Sequence, residues 1–419
     1  MIVREQFDNG LRLLTESMPE VRSVSFGAWL TRGSRHESAA RSGIAHFVEH
    51  MLFKGTARRT AEDIAQEIDS LGGQLDAFTA KECASYYVKV LDDHLPRAVD
   101  VLADLLVHPA FDPGDIEREK KVVLEEIKMV EDTPDDLVHE LFTQRFWSGH
   151  PLGRPILGVP ETVTGLDAAT LRDYFGRAYT GGNLVIAAAG HVDHAAVRDL
   201  VTSAFGDLPS NVEEITNTAP ASMPGLLIRD KPLEQCHVCL GVSGYPQAHV
   251  DRYICYVLNI VLGGTMSSRL FQNIREKRGL AYAVSSGFVS YRDGGALTIY
   301  AGCDADSIVE VVDLIVAELQ QLRDAPITSA ELVRAKDHLK GSLVLSLEST
   351  SSRMSHLARQ EMCFGRQFTL DETLQAVEQV TVDDVHRVAK ELLVPGTVAA
   401  TVLGPVDGLA LNEQQLALT

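Results

Sequence analysis

Long apolar runs, a secretory leader and a dense set of cysteines are all missing from this sequence. Its first residues, MIVREQFDNGLRLL, show no basic segment followed by an apolar core, and no later run is long enough for a transmembrane helix. The six cysteines are scattered over 419 residues rather than clustered as in a secreted disulfide scaffold. We therefore expect no membrane span and a reducing, cytoplasmic location.

Basic residues are too few to balance the acidic ones. The chain has 38 Lys and Arg against 58 Asp and Glu, a formal net charge of -20, which repels phosphate backbones and argues against a nucleic-acid partner. The acidity serves either solubility alone or the attraction of cationic substrates. A P-loop, a dinucleotide-binding glycine fingerprint and a nucleophile elbow are also missing, which removes the commonest competing classes of enzyme.

The composition otherwise suits a globular protein of two domains. Apolar residues make up 45% of the chain and charged residues 23%, as in ordinary globular proteins. A chain of 419 residues is too long to fold around a single hydrophobic core of ordinary size. Residues 209–225 are rich in Pro, Ser, Thr and Asn and show no apolar periodicity. This stretch predicts a linker between an N-terminal domain, residues 1–208, and a C-terminal domain, residues 226–419.

The two halves read as copies of one unit. HFVEHMLFKGT from His46 matches CYVLNIVLGGT from Cys255 at an offset of 209 residues, and the segments that begin at Phe111 and Ile327 match at an offset of 216. The copies differ in their polar residues: His46, Glu49, His50, Glu119 and Glu126 correspond to Cys255, Leu258, Asn259, Ala335 and Ser342. Only the first half keeps the polar set, so we expect the metal ligands there.

Strand-like and helix-like segments are mixed throughout both halves. VSFGAWL from Val24 has the pattern of a strand, and TAEDIAQEIDSL from Thr60 that of a capped helix. Neighbouring strands are arranged like hairpins. The prediction is an α+β fold of two homologous domains, each a largely antiparallel sheet packed with helices.

Three polar residues lie on one face of an otherwise apolar helix in the first half. In SGIAHFVEHMLF, Ser42 is placed to cap the helix, and His46, Glu49 and His50 follow at positions i, i+3 and i+4. Two imidazoles one turn apart can both bind a zinc ion, and the carboxylate between them lies beside the open coordination position. The spacing predicts two metal ligands and an acid/base residue.

A third ligand is expected because catalytic zinc usually takes three protein ligands and a water. EREKKVVLEEIKMVED places Glu119 and Glu126 two turns apart on one helical stripe, with Glu125 on another side. Glu126 is the predicted ligand, and Glu119 is the residue predicted to accept the free ring N–H of a ligand histidine. The alternative is that the two helices form only a salt-bridged amphipathic surface.

With HFVEH, a glutamate 76 positions beyond its last histidine and a duplicated half, the chain resembles the pitrilysin/insulinase-type inverzincin metallopeptidases. The most similar branch is that of the mitochondrial processing peptidase β-subunit. Further matching segments run along almost the whole chain: GSRHE from Gly33, GTARRT from Gly55, GGQLDAFTAKE from Gly72, HPLGRPILG from His150 and AAAGHVD from Ala187. Because no transit segment is seen, a bacterial, cytoplasmic member is favoured over a protein of the mitochondrial matrix.

The resemblance implies a zinc-dependent endopeptidase with one zinc ion per chain, held by His46, His50 and Glu126. Glu49 is then the general base, and a water held by the metal is the nucleophile. The resemblance also implies that two chains pair, as a homodimer or a heterodimer, around a closed chamber. The expected substrates are unfolded peptides or presequence-like segments, bound in extended form.

Two further sets of residues are expected to contact the substrate. GGQLDAFT resembles the family's edge strand, to which an extended substrate adds as another strand. Its predicted substrate-binding residues are Leu75, Asp76, Ala77 and Thr79. In the second half, Arg275 and Tyr282 of REKRGLAY match the family's catalytic Arg and Tyr, which contact the substrate or the reaction intermediate. The alternative is that Tyr282 lies in the core and Arg275 is solvated.

Two roles without hydrolysis remain as alternatives. A structural or assembly subunit of the same fold needs the chamber but not the chemistry, and a peptide-binding subunit captures peptides without cutting them. Both predict behaviour that does not depend on zinc. The complete polar set of the first half favours the enzyme.

Overall fold

The computed structural model describes residues 2–212 and 218–418. Its strands are β1 (Ile2–Gln6), β2 (Arg12–Ser17), β3 (Ser23–Leu30), β4 (Gln74–Thr79), β5 (Ala84–Leu91), β6 (Leu184–Gly190), β7 (Gly225–Asp230), β8 (Cys236–Gly244), β9 (Ala281–Ser290), β10 (Gly295–Cys303) and β11 (Ala399–Gly404). Its helices are α1 (Ile44–Leu52), α2 (Ala61–Ser70), α3 (Leu95–Val107), α4 (Pro113–Asp132), α5 (Pro134–Phe146), α6 (Pro160–Thr164), α7 (Ala168–Ala178), α8 (His194–Phe205), α9 (Arg252–Leu262), α10 (Ile308–Asp324), α11 (Ser329–Ser346), α12 (Thr350–Phe364), α13 (Leu370–Glu378) and α14 (Val382–Leu392). Residues 213–217 of the predicted linker lie outside the described residues, and Gly225 begins β7.

Two compact units form, and each combines separate parts of the chain. The first contains residues 2–128, 154–212 and 346–367, and the second contains residues 129–153, 218–345 and 368–418. Helix α12, from the C-terminal half, therefore belongs to the first unit, and α5, from the N-terminal half, belongs to the second. The ranges 1–208 and 226–419 follow the repeat in the sequence, and the compact units differ from them by this exchange of segments.

The sheet of the first unit has the strand order β1-β2-β6-β3-β5-β4. Strands β2 and β6 are parallel, and the other neighbouring pairs are antiparallel. Every residue of β6 is buried, and its sequence LVIAAAG is the continuous apolar run typical of a strand covered on both faces. Leu184, Ile186 and Ala188 face the main core, whereas Val185, Ala187 and Ala189 pack with Met354, Leu357 and Ala358 of α12.

The sheet of the second unit has the strand order β7-β11-β8-β10-β9. Strands β7 and β11 are parallel, and the other pairs are antiparallel. One face packs in the larger core, through residues such as Leu240 and Ile299. The other face packs against α5, which contributes Leu137, Phe142 and Phe146.

The two sheets share one plan. The order and the directions of β2-β6-β3-β5-β4 repeat in β7-β11-β8-β10-β9, and β1 is an addition at one edge of the first sheet. The predicted α+β class, with two homologous domains built on largely antiparallel sheets, is confirmed. In the part of the chain that the structure describes, no helix combines the length and the apolar character needed to cross a membrane.

Candidate metal centre

Helix α1 carries the predicted metal-binding residues on its least buried face. Ile44, Ala45, Phe47, Val48, Met51 and Leu52 are buried in the core, which leaves His46, Glu49 and His50 half-buried on the remaining stripe. The imidazole Nε2 atoms of the two histidines lie 3.2 Å apart. The i, i+4 spacing has therefore placed two possible ligand atoms close enough to bind the same ion.

The start of α1 differs from the expectation that Ser42 caps it. The N-cap is Gly43, at φ 93, and the Ser42 hydroxyl makes no hydrogen bond among the described residues. The buried carboxylate of Glu37 instead accepts the N–H groups of Gly43 and Ala45, each at 2.8 Å. Burial raises the pKa of Glu37 to about 7, against these two hydrogen bonds and the charges of Arg154 and Lys81.

Glu126 on α4 completes a cluster of three ligand atoms. Its Oε2 lies 3.8 Å from His46 Nε2 and 3.6 Å from His50 Nε2. Because zinc binds such atoms at about 2.0–2.2 Å, two ligands of one ion lie at most about 4.3 Å apart, and all three separations meet this limit. Oε2 is also buried without a hydrogen-bond partner among the described residues, as expected of an oxygen whose partner is a metal ion.

Glu119, two turns before Glu126 on the same stripe of α4, is hydrogen-bonded to one of the two histidines. Its Oε1 lies 2.8 Å from His50 Nδ1, and its Oε2 lies 2.7 Å from the Lys54 ammonium. Burial lowers the pKa of His50, but the hydrogen bond to Glu119 and the nearby carboxylates outweigh burial and raise it overall. Burial and the neighbouring His50 lower the pKa of His46 to about 3, so the His46 imidazole is neutral at ordinary pH, as a metal-binding imidazole must be.

Glu49 faces the same side of α1 and contacts the edge strand β4. Its Oε2 accepts a hydrogen bond from the Thr79 hydroxyl. Burial raises the pKa of Glu49, and the hydrogen bond from Thr79 opposes this rise. A carboxylate with a raised pKa, held by a hydroxyl beside three possible metal ligands, is suited to taking up and releasing a proton.

Strand β4 is at the end of its sheet and pairs with β5 alone among the described strands. Leu75, Ala77 and Thr79 are half-buried, whereas Asp76 is exposed and accepts a hydrogen bond of 3.0 Å from the Tyr87 hydroxyl. The outer backbone edge of β4 can therefore receive another strand. Thr79, the last residue of β4, connects this edge to Glu49 through its hydroxyl.

Arg275 and Tyr282 form a pair of their own in the second unit. Arg275 lies in the helical turn Phe271–Glu276, and Tyr282 lies near the start of β9. The guanidinium is 5.2 Å from the Tyr282 ring centroid and 4.8 Å from that of Phe271. Tyr282 is 78% exposed, so the alternative of a core tyrosine is wrong.

The corresponding positions of the second unit hold no such cluster. Cys255 and Leu258 are buried in its core, and the Asn259 amide oxygen accepts a hydrogen bond of 2.8 Å from Ser286. Ala335, the counterpart of Glu119, is also buried. Within residues 2–212 and 218–418, His46, His50 and Glu126 are the group whose arrangement could hold a metal ion.

Two residues of this region were not singled out from the sequence. Lys54 follows His50 by four positions, a spacing that places both side chains on one side of the helix end and could have indicated the contact. Glu37 gave no local signal, because it reaches the helix start from a separate short turn.

Comparison with protein families gives two matches that divide the chain. The family described as "Insulinase (Peptidase family M16)" matches residues 12–159, which contain the cluster. The family described as "Peptidase M16 inactive domain" matches residues 165–339, which contain Cys255, Leu258 and Asn259. The resemblance inferred from the motifs is confirmed.

Curated relatives match over nearly the whole chain. An uncharacterized zinc protease of Bacillus subtilis, YmxG, is 44% identical over 94% of this chain and 96% of its own length. An uncharacterized zinc protease of Mycobacterium tuberculosis is 42% identical over 99% of this chain and 95% of its own length. The predicted zinc cofactor agrees with the names of both relatives.

Two solved structures share the fold. The peptidase M16 inactive domain from Pseudomonas fluorescens has a TM-score of 0.91 at 22% identity and covers 96% of this chain and 98% of its own. A protease from Helicobacter pylori has a TM-score of 0.89 at 23% identity and covers 96% of this chain and 99% of its own. At these identities the likeness concerns the fold alone.

Proposed function

Because the chain belongs to the insulinase family, peptidase family M16, we propose that it is a zinc-dependent endopeptidase whose metal is held by His46, His50 and Glu126. The observation that carries the proposal is the convergence of three ligand atoms around the buried, unbonded Glu126 Oε2. A salt-bridged surface, the alternative for this helix pair, gives no reason for two imidazoles to face each other at 3.2 Å.

Zinc bound here supplies a Lewis acid that polarises a peptide carbonyl and makes water more acidic. Glu49 accepts the proton of the attacking water and passes it to the leaving amine. The Thr79 hydroxyl holds the Glu49 carboxylate in place for this transfer. Glu119 accepts the Nδ1–H of His50, which directs the Nε2 lone pair toward the ligand cluster.

The proposed substrate is an unfolded peptide or presequence-like segment that adds to β4 in extended form. The pairing is assigned to Leu75, Asp76, Ala77 and Thr79, and its support is the free edge of β4 beside Glu49. The Ala77 N–H donates to the Asp76 carboxylate at 2.8 Å and would exchange this bond for one to the peptide. Asp76 gives the edge a negative charge, which favours cationic peptides. Arg275 and Tyr282 are proposed to contact the peptide, because Tyr282 exposes most of its ring.

We further propose a bacterial, cytoplasmic homodimer that encloses a chamber. The family resemblance supports the pairing of chains, and light scattering distinguishes a homodimer from a single chain that needs a different partner. Cys83, Cys236, Cys239, Cys255 and Cys303 are free thiols, which suits a reducing compartment.

The test of function is a cleavage assay with matched variants. Zinc-loaded protein is incubated with a disordered, arginine-containing peptide of about twenty residues, long enough to extend beyond β4 on both sides, and fragments are followed by mass spectrometry. Glu49→Gln is expected to retain zinc and to lose turnover by about 10²- to 10⁴-fold. Glu125→Gln, on the exposed side of α4, is the control and is expected to cleave normally.

The outcomes separate the enzyme from its alternatives. Peptide that is bound and recovered whole by the wild type indicates a peptide-binding subunit. If the wild type neither binds nor cleaves the peptide and contains no zinc, the chain is a structural subunit. Hydrolysis retained by Glu49→Gln contradicts the assignment of the general base.

A further inference from the structure

Lys54 lies just beyond the end of the helix that carries the two histidines. Hydrogen bonds of 3.2 Å from Phe53 N to His50 O and from Lys54 N to Met51 O close the last turn of α1. This turn fixes the Lys54 backbone relative to His50, four residues earlier. The Lys54 side chain therefore extends from the same end of α1 as the His50 imidazole.

The carboxylate of Glu119 joins these two side chains. Glu119 is 3% exposed, and it uses a different oxygen for each partner: Oε1 for His50 Nδ1 at 2.8 Å and Oε2 for Lys54 Nζ at 2.7 Å. A buried carboxylate is stable only when both its charge and its lone pairs have partners. Without Lys54, Oε2 would lose its charged partner and the carboxylate could rotate away from His50.

The internal repeat supports the same pairing. At the offset of 209 residues Lys54 corresponds to Gly263, and at the offset of 216 residues Glu119 corresponds to Ala335. The second unit thus lacks both members of the pair together with the histidines. A side chain at Gly263 would also have no room, because a Cβ there would lie 2.7 Å from the backbone nitrogen of Ser286.

We propose that Lys54 is a positioning residue of the metal centre, which acts by holding the Glu119 carboxylate in the orientation that fixes the His50 ring. Lys54 contacts neither the three ligand atoms nor the edge strand in the structure, so its effect passes through Glu119. This inference rests on the proposed function only in taking His50 as a zinc ligand. It adds a lysine–glutamate–histidine chain of contacts that ends at the metal.

The test measures zinc affinity and does not depend on activity. Zinc-free protein is titrated against a chromophoric chelator, and the d–d spectrum of the cobalt-substituted protein reports the ligand geometry. Lys54→Met, which keeps the length of the side chain and removes its charge, is expected to weaken zinc binding roughly 3- to 10-fold and to shift the cobalt bands. Lys54→Arg, which keeps the charge, is expected to bind zinc more tightly than Lys54→Met.

The control is Lys120→Met on α4, the helix that carries Glu119. Lys120 bonds Glu117 on α4 at 2.7 Å, the same distance as in the Lys54 contact, but does not contact Glu119. Its replacement is expected to leave zinc affinity and the cobalt spectrum unchanged. A loss equal to that of Lys54→Met would mean that positive charge near α4 matters in general, and would overturn the inference.

A double-mutant cycle shows whether Lys54 acts through Glu119. Glu119→Gln alone is expected to weaken zinc binding about 10- to 100-fold, and Lys54→Met is expected to add nothing in that background. Wild-type affinity in Lys54→Met, or a full additional loss in the double variant, contradicts the inference. If Lys54→Met does not fold, Lys54→Gln is judged by the same criteria.

Failure of the inference is distinguishable from failure of the proposed function. If His50→Ala binds zinc as tightly as the wild type, the metal centre itself is wrongly assigned. If His50→Ala loses zinc while Lys54→Met keeps wild-type affinity, only the role of Lys54 is wrong.

Discussion

The helix pairs α1/α4 and α9/α11 occupy corresponding places in the two units but are held together by different chemistry. In the first unit the contacts between α1 and α4 come from residues around the proposed metal ligands, including Glu119 with His50 and with Lys54 just beyond α1. In the second unit Arg269, seven residues beyond the end of α9, forms a two-bond ion pair with Glu331 of α11, at 2.7 and 3.1 Å, which ties the segment after α9 to α11. The same architecture is therefore stable with either a polar ligand set or an apolar core and an ordinary ion pair.

The polar residues of α1 and α4 stabilise the first unit less directly than the apolar residues at the same positions stabilise the second. The half-buried imidazoles and carboxylate on one face of α1 need polar partners, whereas Cys255 and Leu258 at the corresponding positions of α9 contribute directly to an apolar core. The stability of α1 and α4 should then depend on zinc, and that of α9 and α11 should not. The predictions that follow vary one side of the comparison at a time.

Removal of zinc is expected to have the largest effect, and only in the first unit. A ligand at about 1,000 times its Kd stabilises the folded state by about 4 kcal/mol. Hydrogen exchange measured with and without a chelator should therefore show faster exchange of α1 and α4 amides and no change in α9 and α11. Equal acceleration in both helix pairs would remove the distinction between the units.

Leu258→Ala tests the apolar side of the comparison. Leu258 is the counterpart of Glu49 and is fully buried, so the substitution is expected to cost about 2–5 kcal/mol of unfolding free energy. Zinc affinity should not change. Leu345→Ala, at a position 68% exposed, is the control and should cost less than about 0.5 kcal/mol in chemical denaturation.

Glu331 should make the second unit sensitive to acid. Although burial raises its pKa, the hydrogen bonds from Arg269 and Thr328 outweigh burial and lower the pKa from 4.5 to about 2. Its stabilising contribution is therefore present above pH 4.5 and is lost as the pH falls toward about 2. We expect Glu331→Gln to destabilise α11 by about 1–3 kcal/mol at neutral pH and to remove this pH dependence from its hydrogen exchange.

The matched control for that variant is Glu310→Gln. Glu310 and Arg278 form a 3.4 Å ion pair with both side chains exposed, so its loss should change stability by about 1 kcal/mol or less. An effect of the same size in both variants would show that exposure does not govern the strength of these pairs.

Glu37 should give the first unit a pH dependence of the opposite sign. Burial raises its pKa to about 7, so its contribution is fully present below pH 4.5 and is lost as the pH rises through about 7. Zinc-free α1 amides should exchange faster at pH 8 than at pH 5 after correction for the intrinsic rate. The same pH profile in Glu37→Gln would exclude Glu37 as its source.

The part of the site that follows local spacing could be predicted from the sequence. Helical periodicity placed His46, Glu49 and His50 on one face of α1, and the repeat of HFVEHMLFKGT in the second half predicted two related sheets. These features depend on residues close together in the chain. The choice of Glu126, 76 positions beyond His50, came instead from the need for a third ligand and from the resemblance to the family.

The features that could not be predicted depend on distant partners. Helix α12 covers the first sheet through Met354 and Leu357, but an amphipathic helix does not specify which of two similar sheets it covers. The capping of α1 by Glu37 depends on the path of a loop, and Ser42 was the more obvious local cap. Local patterns therefore predicted the elements better than their contacts.

The most direct test of the comparison is the number of zinc ions per chain, measured by native mass spectrometry in the wild type, His50→Ala and Asn259→Ala. One ion in the wild type and in Asn259→Ala, with none in His50→Ala, is the predicted result. No ion in the wild type, two ions per chain, or an ion retained by His50→Ala would contradict a single metal centre in the first unit.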